Sequence, residues 1–206
     1  MAKPFLTGKS KAAFSAAVRT LEGASSAELV VAVRPRSGSY LHVDLAVGIL
    51  AGLATLAVLL YSSGTFDLIW FLVDPVVAGA LAGLVFFRSP VLHRAFTRPA
   101  ARRGRVETAA RSTFVERRVH STSGRTGILL YISLLEREAV LVVDLAVEAL
   151  AATDAWRRAV SEIEAAVRRG ASGVEVAAKV SELAAVLGPV LERSENDVDE
   201  LPDEVC

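Results

Sequence analysis

The chain has 206 residues, 23 basic against 23 acidic side chains, and an apolar fraction of 52%. Its mean hydropathy of +0.43 is high for a water-soluble protein of this size, and a net charge of zero gives no overall electrostatic pull toward nucleic acid. The single cysteine, Cys206, excludes an internal disulfide or a thiolate metal cage.

The first stretch, Ser10–Leu21, places Phe14, Val18 and Leu21 at helical spacing with Gly23 beyond them, and predicts an amphipathic helix stopped by that glycine. Nothing before it combines a continuous apolar core with a small-residue cleavage site, so no secretory signal peptide is expected. Glu28–Val33 (ELVVAV) is short and valine-rich, as in a buried strand, and a turn over Pro35–Gly38 closes it.

The apolar excess sits in one block. Leu45–Tyr61 is uncharged throughout, and Leu68–Phe87 carries only Asp74, followed by Pro75. A helix needs about 20 apolar residues, within a range of ~17–25, to cross the hydrocarbon core, and both segments fall within it. The short linker beginning Ser62-Ser63-Gly64-Thr65 predicts a transmembrane hairpin whose ends return to one side. Gly48 and Gly52 on one helix, and Gly79 and Gly83 on the other, have the small-xxx-small spacing that lets two backbones approach. The alternative uses of these features are a buried hairpin in a soluble core and contacts between copies of the chain.

No Lys or Arg occupies the linker, whereas Arg34 and Arg36 precede the hairpin and Arg88, Arg94, Arg98, Arg102, Arg103 and Arg105 follow it. The positive-inside rule then predicts both termini in the cytoplasm and a location in the inner (plasma) membrane. Asp74 follows Asp67 by about two turns, near the outer interface. An intramembrane carboxylate either marks a pathway or rests at such an interface.

Beyond the hairpin, Arg102–His120 reads as a helix with Val106, Ala110, Phe114 and Val115 on one face and arginines elsewhere, suited to anionic lipid headgroups. Gly127–Ser133 and Ala139–Asp144 read as strands of an antiparallel hairpin joined by LLERE. Thr153 caps a helix over Asp154–Arg169 that Gly170 ends. Ser172 and Glu175 form a capping box for a last helix to Leu187, with Val174, Ala177, Val180, Leu183 and Ala184 inward. From Glu192 the chain is acidic and poor in large apolar groups, a composition that predicts a mobile tail. The organisation is therefore 1–42 and 88–191 as an α/β domain, 43–87 as a transmembrane hairpin inserted after the first strand, and 192–206 as an acidic tail.

AELVVAVRPRSGSY, RTGILLYISLLEREAVLVVD, the helix bearing Trp156 and the terminal DVDELPDEV together resemble the TPM domain family. Its relatives include bacterial membrane proteins and plant thylakoid proteins of photosystem repair. The resemblance implies a small three-layer α/β fold and, for some members, weak acid phosphatase activity or metal binding. On this chain the implied metal ligands are Asp144, Glu148 and Asp154, and the cation would be Ca²⁺ or Mg²⁺, which take oxygen donors. Where the family carries glycines in the turn after that strand, this chain has Leu145 and Ala146, so its backbone approaches a phosphate less closely.

His42, His93 and His120 have no carboxylate at i+3 or i+4, so a histidine-centred metal or nucleophile site is not expected, and His42 and His93 are assigned to the membrane interface. Ser121, Ser123 and Arg125 offer either an anion-binding turn or a plain surface loop. No phosphate-binding loop, dinucleotide fingerprint or nucleophile elbow occurs. The expected role is a non-catalytic accessory protein at the membrane. Its partners would be membrane lipid and another membrane protein or a second copy, with no nucleic acid. A weak metal-dependent phosphatase at the membrane surface is the alternative.

Overall fold

A computed structural model describes residues 5–191 and residue 193. The acidic tail from Glu192, with the ELPDEV ending, lies outside the described residues except for Arg193. The chain forms two compact units. One comprises the residues up to Ser37 and those from Arg102 onward, and the other spans Gly38–Ala101.

The first unit is a mixed α/β domain. Helix α1 (Gly8–Ala24) starts at a reciprocal capping box between Thr7 and Ser10 and buries Phe14, Val18 and Leu21. Gly23 does not stop it. A glycine lowers helix propensity without forbidding the conformation, and the turn back is made by Ser25, whose N–H and hydroxyl both donate to the Leu21 carbonyl. Strand β1 (Glu28–Arg34) pairs in parallel with β2 (Gly127–Ser133), and β2 pairs antiparallel with β3 (Glu138–Val143), giving the order β1-β2-β3.

Because successive strand residues point to opposite faces, the sheet carries two cores. Leu29, Val31, Val33, Ile128, Leu130 and Ile132 pack with α1 and with the helices that end the chain. Val30, Ala32, Leu129, Tyr131 and Val140 pack with Val106, Ala110 and Val119. Val106 and Ala110 belong to the basic helix α5 (Pro99–Glu116), which covers this second face. Covering both faces explains why ELVVAV and GILLYIS read as continuous apolar runs and not as alternating ones.

Helix α5 spans Pro99–Glu116, after which Arg118 adopts a left-handed conformation (φ 54°) and a short 3-10 turn follows at Val119–Ser121. Its inward face is Val106, Ala110 and Thr113. Val115, expected on the same face, is exposed. Strand β3 stops at Val143, and Asp144 opens a helix absent from the sequence reading, α6 (Leu145–Ala151). Helix α7 (Asp154–Arg169) has the expected bounds, with the Thr153 hydroxyl accepting from the Trp156 N–H and Gly170 (φ 79°) in the left-handed cap.

The last predicted helix is two, α8 (Gly173–Ser181) and α9 (Leu183–Leu187). The Ser181 hydroxyl donates to the Ala178 carbonyl at the break, where such local bonds compete with the helical ladder. Ser172 caps α8, but the Glu175 carboxylate pairs with Arg169 and does not close a box. The inward stripe includes Val176, while Val174 is exposed.

An ion-pair ladder crosses the unit from α5 to α7 and β3. Arg103 meets Glu107 at 3.0 Å and Glu164 at 3.1 Å, and Arg168 meets Glu164 at 3.7 Å and Glu138 at 3.5 Å. The hydrogen bond from Arg103 to Glu164 holds the guanidinium above its ordinary pKa. The arginine is 43% exposed, so screening limits the gain. Arg103→Met should therefore lower stability by about 0.5–1 kcal/mol in denaturant titration, with the difference shrinking at high salt.

The second unit is the hairpin with its foot. Helices α2 (Leu41–Tyr61) and α3 (Leu68–Arg88) have 21 residues each, about 31 Å at 1.5 Å per residue, long and apolar enough to cross a membrane. Of their most apolar windows, 11% and 0% of residues are buried. That is the opposite of a helix pair in a soluble core. Helix α3 continues through Pro75.

The glycines form the seam. A Cβ on Gly79 would lie 2.7 Å from the Gly48 carbonyl oxygen, one on Gly48 2.9 Å from that of Gly79, and one on Gly52 2.8 Å from that of Pro75. The small-residue face is thus used within the hairpin. The unit extends beyond the expected 43–87, because Tyr40 and a short helix absent from the sequence reading, α4 (Pro90–Phe96), pack with the hairpin at its open end.

Candidate functional site

The most enclosed polar constellation of the hairpin unit lies at this open end. Asp44 is in the first turn of α2, and His93 is in the last turn of α4, which Ser89 caps through the Leu92 N–H and Pro90 begins. His93 Nε2 lies 2.8 Å from Asp44 Oδ1, and Nδ1 lies 3.1 Å from the Ser89 carbonyl oxygen. His93 is 4% exposed and Asp44 7%. The Tyr40 ring meets the imidazole edge-on at 5.2 Å, and the Phe86 ring lies tilted against it at 4.9 Å.

The hydrogen positions follow from the partners. A carbonyl can only accept, so Nδ1 carries a hydrogen. Nε2 then either donates to a carboxylate or accepts from a carboxyl, and in both cases the pair is neutral overall and shares one proton. A neutral pair is the form that burial in apolar surroundings tolerates.

An aspartate orienting a histidine is also part of nucleophilic triads. Here both ring nitrogens are occupied, one by a main-chain carbonyl, and aromatic rings cover the imidazole. The arrangement fastens α4 to the hairpin and leaves no lone pair for a substrate. His93 is thus a buried clasp, whereas His42 is exposed in the first turn of α2. The pairing was not visible as a motif because 49 residues separate its members.

The three expected metal ligands occupy different settings. Asp144 is buried. Its Oδ1 accepts the Leu145 N–H at 2.8 Å, and its Oδ2 lies 3.4 Å from Arg125 Nε. Arg125, for which the sequence leaves open an anion-binding turn or a plain surface loop, faces this carboxylate and also donates to the His120 carbonyl. Glu148 is exposed in the first turn of α6. Asp154 is exposed at the start of α7, 3.9 Å from Arg157. Among the described residues, no three His, Cys, Asp or Glu side chains gather as a metal site requires. Asp74 is half-buried, seven residues into α3, near its linker end.

Another buried carboxylate escaped the sequence reading. Glu136, 1% exposed in the β2–β3 turn, accepts from the Ser133 hydroxyl and from the Ser37 N–H at 3.1 Å. The Ser37 hydroxyl bonds the Tyr131 hydroxyl at 3.2 Å. Ser37 is the last residue of the α/β unit before the hairpin, so this network ties down the strand exit. The cue available in the sequence was an acid at the centre of a tight LLERE turn.

The molecule is therefore a mixed α/β protein with a helical hairpin inserted between its parallel strands. The fold is similar to the NMR structure of the BA42 protein from the psychrophilic bacterium Bizionia argentinensis, with TM-score 0.59 and 15% sequence identity over 100% of this chain and 97% of that one. No family model matches the chain, and no curated protein matches it.

Proposed function

We propose that this is a membrane-anchored, TPM-like accessory protein without catalytic activity, whose α/β unit binds another membrane protein at the cytoplasmic face of the inner (plasma) membrane. The observation that carries the reading is the bare apolar surface of both hairpin helices, which lipid would cover. The distribution of arginines, absent from the linker and abundant at the open end, supports cytoplasmic termini. The helix–strand order with the hairpin between β1 and β2 supports the TPM-like reading, as do layers on both sides of the sheet.

The non-catalytic part is supported by the state of Asp144. Its carboxylate caps a helix and balances Arg125, so recruiting it to a cation would break both contacts. Catalysis also needs an activated nucleophile and charge stabilisation beside any cation.

The test is affinity capture of the full-length protein from detergent-solubilised membranes, together with phosphate release by the purified protein in millimolar Mg²⁺ or Ca²⁺. The expected result is a reproducible membrane-protein partner, an unchanged melting temperature with either cation, and no metal-dependent phosphate release. Phosphate release that Asp154→Ala abolishes would instead establish the phosphatase reading, since an exposed side chain can be removed without disturbing the fold.

A further inference from the structure

Helix α4 has two faces. His93 and, just past its end, Thr97 are turned inward and buried, while Val91 is 64% and Phe96 70% exposed, with Ala95 exposed between them. Arg88 and Arg98 stand exposed just before and just after the helix. The apolar surface does not end there. On the hairpin Phe87 (53% exposed), Leu84 and Leu41 are exposed as well, and the Phe96 ring of α4 lies 5.5 Å from that of Phe86 on α3.

An apolar face flanked by cations, directly following a helix long and apolar enough to span a membrane, has the pattern of a helix lying in the plane of the membrane interface. Its aliphatic and aromatic groups would enter the acyl boundary, and its guanidinium groups would reach the phosphate layer. Guanidinium suits phosphate particularly well, because its fork donates two parallel hydrogen bonds.

We infer that α4 is an in-plane interfacial helix, held at the hairpin foot by the His93–Asp44 clasp, and that Arg88 and Arg98 bind the phosphates of anionic phospholipids. The inference rests on the membrane reading above and adds a second lipid contact to it. Two features select lipid over a protein partner as the occupant. The helix begins directly after the spanning helix α3 and its Phe96 ring lies 5.5 Å from Phe86 of that helix, and the flanking charges match the anionic cytoplasmic leaflet.

The experiment uses full-length protein with Cys206→Ser, reconstituted in vesicles of phosphatidylcholine with or without phosphatidylglycerol. A single environment-sensitive fluorophore is attached at Val91→Cys, at Leu50→Cys in mid-hairpin, or at Ala155→Cys on α7. Lipids with quenchers at shallow or deep positions report depth. The expected result is shallow quenching and a blue shift at Val91, deep quenching at Leu50, and neither at Ala155.

Phosphatidylglycerol should strengthen the Val91 signal. Arg88→Gln and Arg98→Gln should each weaken that preference about fivefold at low salt, because each charge contributes separately near the surface. Should Val91→Cys fail to fold, Ala95→Cys carries the same probe. Deep quenching at Leu50 with a water-exposed probe at Val91 would overturn the inference and leave the anchor intact, and protection at Val91 only when a protein partner is added would overturn it in favour of a protein interface. A water-exposed probe at Leu50 would remove the membrane reading and this inference together. An equal response in both vesicle types, unchanged by the arginine substitutions, would overturn the assignment to anionic phosphate.

Discussion

Gly79→Leu is expected to force the two hairpin helices apart. The Cβ alone would stand 2.7 Å from the Gly48 carbonyl oxygen, and the obstacle is backbone, with no flexible side chain to swing aside. Overpacking a tight contact costs about 1–3 kcal/mol where neighbours can adjust, and a rigid helix pair allows little adjustment. Gly83 provides a graded comparison, because its Cβ would meet the Asp44 carbonyl oxygen at 3.4 Å, an ordinary contact. Gly83→Ala should therefore be milder than Gly79→Ala.

Gly104 of α5 provides the opposite sign. Nothing lies within 4 Å of its added Cβ, so Gly104→Ala should raise stability by about 0.5–1 kcal/mol through helix propensity. Thermal unfolding in detergent micelles measures all four variants. An unchanged melting temperature for Gly79→Leu would mean that the seam contributes nothing.

The second large effect concerns the clasp. Asp44→Ala leaves the Nε2 of His93 buried among aromatic rings with no partner. An unmade buried hydrogen bond costs about 1–3 kcal/mol, and an uncompensated charge costs more. His93→Ala removes the other half and leaves the Asp44 carboxyl exposed to the same penalty. The combined variant should be less destabilised than the sum of the two, with a coupling of about 0.5–3 kcal/mol as expected for side chains in direct contact. Asp44→Asn retains a hydrogen-bonding group and should sit close to the wild type. Strict additivity in that cycle would mean that the two side chains do not interact.

What could be read from the chain and what could not divide along physical lines. The hairpin was legible because its signal is local, two apolar runs of bilayer length with glycines four apart. The strands were legible for the same reason, and so were the ends of α7, where Thr153 and Gly170 act within one turn of themselves. Features that depend on distant partners were hidden. Nothing near His93 in sequence announces Asp44, and α4 is too short for a periodic signal to stand out. Asp144 illustrates a different difficulty, since a carboxylate that ends a strand and one that begins a helix look alike in sequence. Gly23 shows the converse, a conspicuous residue whose local preference is overridden by the tertiary packing of Phe14, Val18 and Leu21.

The clasp of Glu136 on Ser37 joins residues 99 positions apart, and the pairing of β1 with β2 spans a similar interval. During synthesis at roughly 5–20 residues per second, β1 would wait about 5–20 s for the strand it must lie beside. Both hydrophobic helices emerge within that interval. On the proposed membrane reading, insertion of the hairpin would therefore precede closure of the sheet, and the order of assembly is written into the connectivity. A ribosome stalled before Gly127 would display a complete hairpin while the sheet still lacks its central strand.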